Sequence, residues 1–406
     1  MAGITGNPSR LPVCLHLAFC AWGNSAMAKV RPFPDERVAS EYEWFGEHKV
    51  DYIDNADANM PLFERDIVLI DKLVDVNKRY GFPQKFRTSF AKNSNDKVWR
   101  MASKLHAAGM LKSVTLAMQS MDSEVLTSIK RKNIKFDHFG DLVRKYESAG
   151  MPTYTELIMG LPQESLSSYL EGIDVNLEAG QSSLFMYVNI MLPNTEQNTP
   201  EYRAKYGLKT VPLRAMLSHG TPMPGIPVEI QETVVETSTL PHADWKTAWV
   251  YSKLIEVFHV QGLLQTVAVY CRQEGVPYRT FYKSLLAWLT ANEQTVAGRE
   301  FSALKRLLDG ALAGGSWDCV DERMGEISWP PEEFAYGRIV LSFADFWQEI
   351  QGFLDDWQVP TEIREQQRAE IPLPEDGKTV GWARECVWFQ RKGYAAFKRK
   401  KATSDS

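Results

Sequence analysis

Between about residue 50 and residue 196, short β-rich runs alternate with helical stretches, and this alternation restricts the fold more than any other property of the chain. VDYIDNA (50–56) reads as a strand running into a polar loop. FERDIVLIDKLVDVNKRYG (63–81) has apolar residues at helical spacing and stops at Gly81. KFRTSFA (85–91) reads as a second strand. NSNDKVWRMASKLHAAG (93–109) follows as a helix with Ser94 or Asn95 as its N-cap and Gly109 at its end. LKSVTLAMQS (111–120), a helix-rich segment to Gly150, PTYTELIMGLP (152–162), a helix ending near Gly180 and SSLFMYVNIMLP (182–193) continue the series. Repeated βα units of this length imply parallel strands with helices outside, because each crossover returns over the sheet with one hand. The expected class is α/β, a partial (β/α) barrel, with chemistry at the carboxyl ends of the strands. Polar residues gather at those ends: Asp54, Asn55 and Asp57 after one strand, Lys92 and Asn93 after the next, Gln119 and Ser120 after the third.

The character changes after about residue 200. A Pro- and Gly-rich stretch, SHGTPMPGIPVE (218–229), leads into an aromatic-rich helical run, and most of the twelve tryptophans lie beyond Asp244. At helical spacing such residues are core rather than a ligand box. The expected organisation is a remnant or non-native segment at 1–17, a barrel at 18–200, a linker at 201–230 and a mainly α-helical extension at 231–406.

Composition narrows the function. The 406 residues suffice for two domains, and a hydrophobic fraction of 44% with 24% charged residues is ordinary for a globular chain. A net charge of -5 argues against a general nucleic-acid binder. Five cysteines, an odd number widely spread, do not make a disulfide framework and point to a reducing, cytoplasmic setting. No apolar run approaches the ~20 residues of a membrane span. Arg10, the apolar run from Leu11 to Trp22 and Ala26-Met27-Ala28 imitate a signal peptide, but Pro12 and His16 interrupt the run.

The order FCAWG, YIDNADAN, LAMQS followed by SIKRKN, then ELIMGLPQE, resembles the radical S-adenosylmethionine enzymes, most closely the subgroup that carries a cobalamin-binding domain ahead of the barrel. The resemblance covers roughly residues 18 to 200. It implies a [4Fe-4S] cluster held by three cysteines of a CxxxCxxC loop, S-adenosylmethionine on the open iron, and a 5'-deoxyadenosyl radical that modifies a substrate, with methyl transfer as one outcome. It also implies an electron donor such as a flavodoxin or ferredoxin, no nucleic-acid partner and no membrane. Cobalamin, where used, would come from a missing or separate domain, the chain reading as amino-terminally truncated.

Residue by residue, Phe19 and Cys20 stand where the family has an aromatic residue and the last cluster cysteine. Asp54, Asn55 and Asp57 fill the place that meets the ligand's amino group. Gln119 and Ser120 take the ribose-facing position, and Arg131 falls where a basic residue pairs with the ligand carboxylate. Glu156 and Gly160 match the fifth-strand motif, which contacts ribose and lets the backbone approach adenine. The departure is in the cluster loop. The pattern requires cysteine three and seven positions before Cys20, and the chain has Leu17 and Val13 there; Cys14 is offset from the spacing. Cys14 and Cys20 are the metal candidates that remain. Written in one set of permitted codons, RLPVCLH (10–16) read one nucleotide out gives Gly-Cys-Pro-Phe-Ala-Cys, so a shifted reading frame is one explanation that would account for the missing thiols. Two other readings stand beside the radical enzyme: an inert barrel that binds S-adenosylmethionine or a partner, and an exported hydrolase using Glu156 with Asp54 or Asp57 as an acid-base pair.

Overall fold

The computed structural model describes residues 17–20, 32–91, 96–131, 133, 136–181, 183–221 and 225–388. In chain order the first elements are α1 (Asp35–Glu47), β1 (Tyr52–Met60), α2 (Glu64–Tyr80), β2 (Lys85–Phe90), α3 (Asp96–Ala107), β3 (Val114–Thr115), α4 (Ser123–Ser128), α5 (Phe136–Ser148), β4 (Thr153–Met159), α6 (Leu166–Glu178) and β5 (Leu184–Val188). After them come α7 (Pro200–Tyr206), β6 (Lys209–Arg214), β7 (Ile230–Glu236) and α8 (His242–Ile255), then a succession of helices reaching residue 388. The chain gathers into two compact units. The first holds the described residues up to Ile158 with 178–187 and 192–202; the second holds 159–177, 188–191 and the described residues from Arg203 onward.

In the first unit β1 and β2 run parallel with Asp54 opposite Arg87 and Asn55 opposite Thr88, and β3 and β4 run parallel with Thr115 opposite Tyr154. A parallel bridge between Phe86 and Leu111 continues the order from β2 toward β3, and another between Gln119 and Leu157 extends the β3–β4 pairing past the end of β3. β5 lies on the far side of β4. Successive side chains of a strand point to opposite faces, and β2 shows the consequence plainly: Phe86, Thr88 and Phe90 are buried, while Arg87 and Ser89 are exposed. The buried residues Ile53, Phe86, Val114, Leu116, Leu157 and Leu184 form the strand contribution to the core, and Ile67, Ile70 and Leu73 of α2 with Val98, Met101 and Leu105 of α3 form the helical one. Asp66 closes the start of α2 by accepting from the Leu62 and Phe63 amides at 2.8 and 2.9 Å. Gly81 ends that helix in the left-handed conformation, φ 74°, as its position in the sequence implies.

The second unit contains the antiparallel β6–β7 pair and the helices from α8 on. Its core is aromatic: Trp245, Tyr251, Phe258, Phe281, Tyr282, Phe301, Phe346 and Phe353 are almost fully enclosed. Of the tryptophans that the sequence assigns to a core, Trp245, Trp249, Trp317, Trp329 and Trp382 are buried, while Trp288, Trp347 and Trp357 are only partly so. Lys253 is buried with them because two carboxylates, Glu256 at 2.6 Å and Glu332 at 2.8 Å, hold its ammonium.

The α/β class and the helical second half follow the sequence reading. Three local expectations change. The DNADAN stretch does not form a loop after the first strand: β1 runs through it to Met60, with a break in register between Asn55 and Met60 that lets the polar residues stay in the strand. The third strand is reduced to Val114–Thr115, since the turn at Ser120 and the left-handed Gln119 interrupt regular pairing. Residues 201–230, read as a linker, carry most of α7, all of β6 and the first residue of β7. Ser94, Asn95 and almost all of 1–17 lie outside the described residues. Among the described residues no single helix is long and apolar enough to cross a membrane.

The two faces of β2 give a direct test. Phe86→Ala is expected to destabilise the protein by about 3–5 kcal/mol through the cavity it opens, and Arg87→Ala, one residue on, by less than about 1 kcal/mol. Chemical denaturation of the two variants measures the difference.

Candidate functional site

At the end of β3 the backbone of Gln119 is held from both sides. Its amide donates to the Glu156 carbonyl at 2.8 Å and its carbonyl accepts from the Ile158 amide at 2.9 Å. These two bonds fix a left-handed conformation, φ 57°, that a glutamine adopts at a cost. The side chain is buried, and its Oε1 has no hydrogen-bond partner among the described residues. A buried carbonyl left unpaired costs about 1–3 kcal/mol, so the site keeps an acceptor that the protein itself does not satisfy. Ser120 follows in a tight turn, its amide on the Met118 carbonyl at 2.8 Å and its hydroxyl accepting from Asp122 N at 3.2 Å.

Arg131 is buried beneath this turn. Its guanidinium donates to the Ala117 carbonyl and, through Nε, to Asn133 Oδ1 at 2.7 Å. Asn133 in turn donates to the carbonyls of Met118 and Ser120, both at 2.8 Å. The Arg131-x-Asn133 pair therefore clasps the carbonyls of Ala117, Met118 and Ser120 on either side of Gln119. The run Lys130-Arg131-Lys132 conceals this in the sequence, since three cations in a row read as a solvated face or an anion site. Asn133 was the missed residue, and its signal was the amide two positions after an arginine.

On β1 the three polar candidates part ways because the strand alternates. Asp54 is exposed and accepts from Arg87 Nη1 at 3.1 Å across the pair. Asn55 is buried and spends its amide on Thr88 Oγ1 at 3.1 Å, Met60 Sδ at 3.0 Å and Asp57 Oδ2 at 3.3 Å. Asp57 is pushed above the usual carboxylate range, chiefly by burial and secondarily by the charge of Asp66, against the Asn55 hydrogen bond and Arg65, which act the other way. Glu156 is half-buried in β4, one position before the Leu157 that pairs with Gln119.

Residues 17–20 form a turn anchored through Ala18: its amide donates to the Ile129 carbonyl at 3.1 Å, and its carbonyl accepts from the Gln197 amide at 2.8 Å. Leu17 and Ala18 are buried, while Phe19 and Cys20 are partly open. The turn thus sits against the Ile129 carbonyl, two residues before Arg131. Cys14 lies outside the described residues. In the second unit Gly160, immediately after β4, has φ 84°; its amide donates to a Glu164 carboxylate oxygen at 2.8 Å and its carbonyl accepts from Asn189 Nδ2 at 3.0 Å. A Cβ there would stand 3.3 Å from Trp245 Nε1. The backbone conformation favours glycine, and the indole leaves little room for a side chain.

No family model matches the chain. It is 37% identical over 295 residues to the cobalamin-dependent radical SAM methyltransferase TokK of Streptomyces tokunonensis, an alignment covering 71% of this chain and 43% of that protein. It is 37% identical, with the same coverage, to the 2-(S-pantetheinyl)-carbapenam-3-carboxylate methyltransferase of Streptantibioticus cattleyicolor. The chain belongs to the radical S-adenosylmethionine family, in its cobalamin-dependent subgroup. It spans less than half the length of these curated relatives. A more distant likeness is to TsrM of Kitasatospora setae, a radical S-adenosylmethionine methyltransferase solved with tryptophan and a SAM analogue. It has 14% identity and a TM-score of 0.43, covering 60% of this chain and 49% of that one.

The family's two ligands fare differently against these residues. The unsatisfied Gln119 carbonyl fits a ligand hydroxyl. A three-thiolate cage does not fit: positions 13 and 17 carry Val and Leu, Leu17 is packed as core, and among the described residues no three His, Cys, Asp or Glu side chains converge as metal ligands.

Two measurements follow. Asn133→Ala removes both clasping bonds and is expected to cost about 2 kcal/mol, read by denaturation. For Asp57 a raised folded pKa means that the ionised form is disfavoured in the fold: the penalty is present above the folded pKa and vanishes below the unfolded value of about 3.9. Asp57→Asn is therefore expected to raise stability at pH 7, with the gain fading as the pH falls toward 4.

Proposed function

We propose that this chain is the S-adenosylmethionine-binding barrel of a methyl-transferring enzyme. The observation that carries the reading is the buried, unpartnered Gln119 Oε1, held in a costly backbone conformation by the β4 ladder. A ribose hydroxyl would supply the missing donor, and the Asp57 carboxylate, whose charged form burial disfavours, would be stabilised beside the ligand's ammonium. Asp54, Asn55, Ser120 and Glu156, all of the first unit, belong to the same proposed surroundings. Arg131 serves the loop as a positioning residue rather than the ligand's carboxylate. One of the relatives is named for a carbapenam carboxylate that it methylates, which supports an unactivated carbon of a small organic acid as the acceptor.

The reading stops short of radical formation by the residues present, because only Cys20 stands in the register of the cluster loop. Leu17 and Val13 favour a second reading on that point: a barrel that keeps its ligand and has lost its own cleavage chemistry. Calorimetric titration with S-adenosylmethionine tests the binding step. Gln119→Met is expected to weaken binding by about tenfold or more, while the denaturation midpoint without ligand stays the same or rises because a buried unpaired acceptor is removed. Equal binding by wild type and variant overturns the assignment. Anaerobic reconstitution separates the two readings: about four irons per chain support a competent enzyme, and an iron-free folded chain supports the inert barrel.

A further inference from the structure

Gln119 is the central residue of a three-residue turn. The Ser120 amide donates to the Met118 carbonyl at 2.8 Å, across a residue whose φ is 57°. A turn of this size with a positive central φ is rare and strained. Such a conformation persists where its surroundings determine it, and the chain supplies a contact that reaches both arms.

That contact is Asn133. Its Nδ2 donates to the carbonyl of Met118 and to the carbonyl of Ser120, both at 2.8 Å, so the residues before and after Gln119 are tied to one amide group. The amide cannot turn over without losing its bonds. Arg131 Nε donates to Asn133 Oδ1 at 2.7 Å, and a guanidinium has no acceptor to offer an NH2 group in that place. Oδ1 is therefore directed at Arg131, and both hydrogens of Nδ2 are directed at the turn. On the other side, β4 holds the Gln119 backbone itself, through the Glu156 carbonyl and the Ile158 amide.

We propose that Asn133 is a positioning residue for S-adenosylmethionine: it keeps the turn at 118–120 in the strained form that presents Gln119. The inference rests on the proposed function, in which Gln119 Oε1 takes a ligand hydroxyl, and names the residue on which that presentation depends. Asn133 acts through Gln119 rather than on the ligand. Without its two bonds the turn is released from the strained region, and the apparent affinity falls in proportion to the fraction of molecules that stay competent.

The test is calorimetric titration of the full chain with S-adenosylmethionine in a double-mutant cycle. Asn133→Ala is expected to weaken binding by about fivefold or more. Asn133→Asp preserves the size of the side chain and an oxygen for Arg131 but has no hydrogen to donate when ionised, and is expected to weaken binding at least as much. In the Gln119→Met background, adding Asn133→Ala is expected to cost nothing further. A residue of merely structural importance would weaken both backgrounds by the same factor. Asn133→Ala binding like the wild type, or losses that multiply in the double variant, overturns the proposal. Circular dichroism establishes that each titrated variant is folded. The wild type provides a check that no folding defect can remove: in a crystal structure of its complex with S-adenosylmethionine the Asn133 amide is expected on both carbonyls, and an amide turned away from them overturns the proposal. The outcomes also separate this inference from the reading beneath it. Gln119→Met binding like the wild type sinks the proposed function and this inference with it, whereas weakening by Gln119→Met without weakening by Asn133→Ala sinks this inference alone.

Discussion

Strand alternation is the constraint on which the rest of the first unit depends. A parallel strand cannot choose its faces residue by residue: once Phe86, Thr88 and Phe90 turn toward the core, Arg87 and Ser89 turn the other way. The register of β1 against β2 then places Asp54 beside Arg87 and Asn55 beside Thr88. Hydrophobic burial of one face therefore decides which polar groups meet on the other. The core residues gain stability from leaving water, and their partners across the sheet inherit a fixed arrangement without having to generate it.

The same logic explains why the end of β3 is an exposed nerve of the structure. Gln119 is gripped by backbone bonds on both sides, and Arg131 and Asn133 hold the neighbouring carbonyls. The polypeptide has invested a buried arginine, a buried turn and a left-handed glutamine in directing one side chain whose acceptor it leaves unsatisfied. In an ordinary core such an arrangement would be relieved by an apolar residue at the same position. Its persistence is intelligible when something outside the chain supplies the donor.

The βα alternation, the glycines at 81, 109, 150 and 180, and the helical second half were legible because they follow from local periodicity and from left-handed helix ends. The extent of β1 was not legible. Asp54, Asn55 and Asp57 carry the composition of a loop, and only pairing with β2 and a break in register keep them in a strand. Among the site residues, Gln119 and Gly160 could be singled out from their motifs, and the structure shows why each is special. Asn133, Glu164 and Asn189 could not be found by motif, because each matters through the backbone groups it holds in a turn or a neighbouring strand. Arg131 illustrates the limit: the sequence gives its charge, and only the fold reveals that the charge is turned inward to carbonyls.

A separate physical question is what seats residues 17–20, where the family pattern calls for a thiol at position 17 and the chain carries leucine. In the described turn, stability does not come from metal. Ala18 is bonded at both its amide and its carbonyl, and Leu17 lies buried beside it. A thiol replaced by leucine in such a position exchanges a soft ligand for apolar area, and burial at about 25 cal/mol per Å² favours the larger side chain. The turn is thus seated beside Ile129 by its own backbone bonds and apolar burial. Gln119 and Arg87 likewise stand on strands whose own integrity rests on Phe86, Val114 and Leu157.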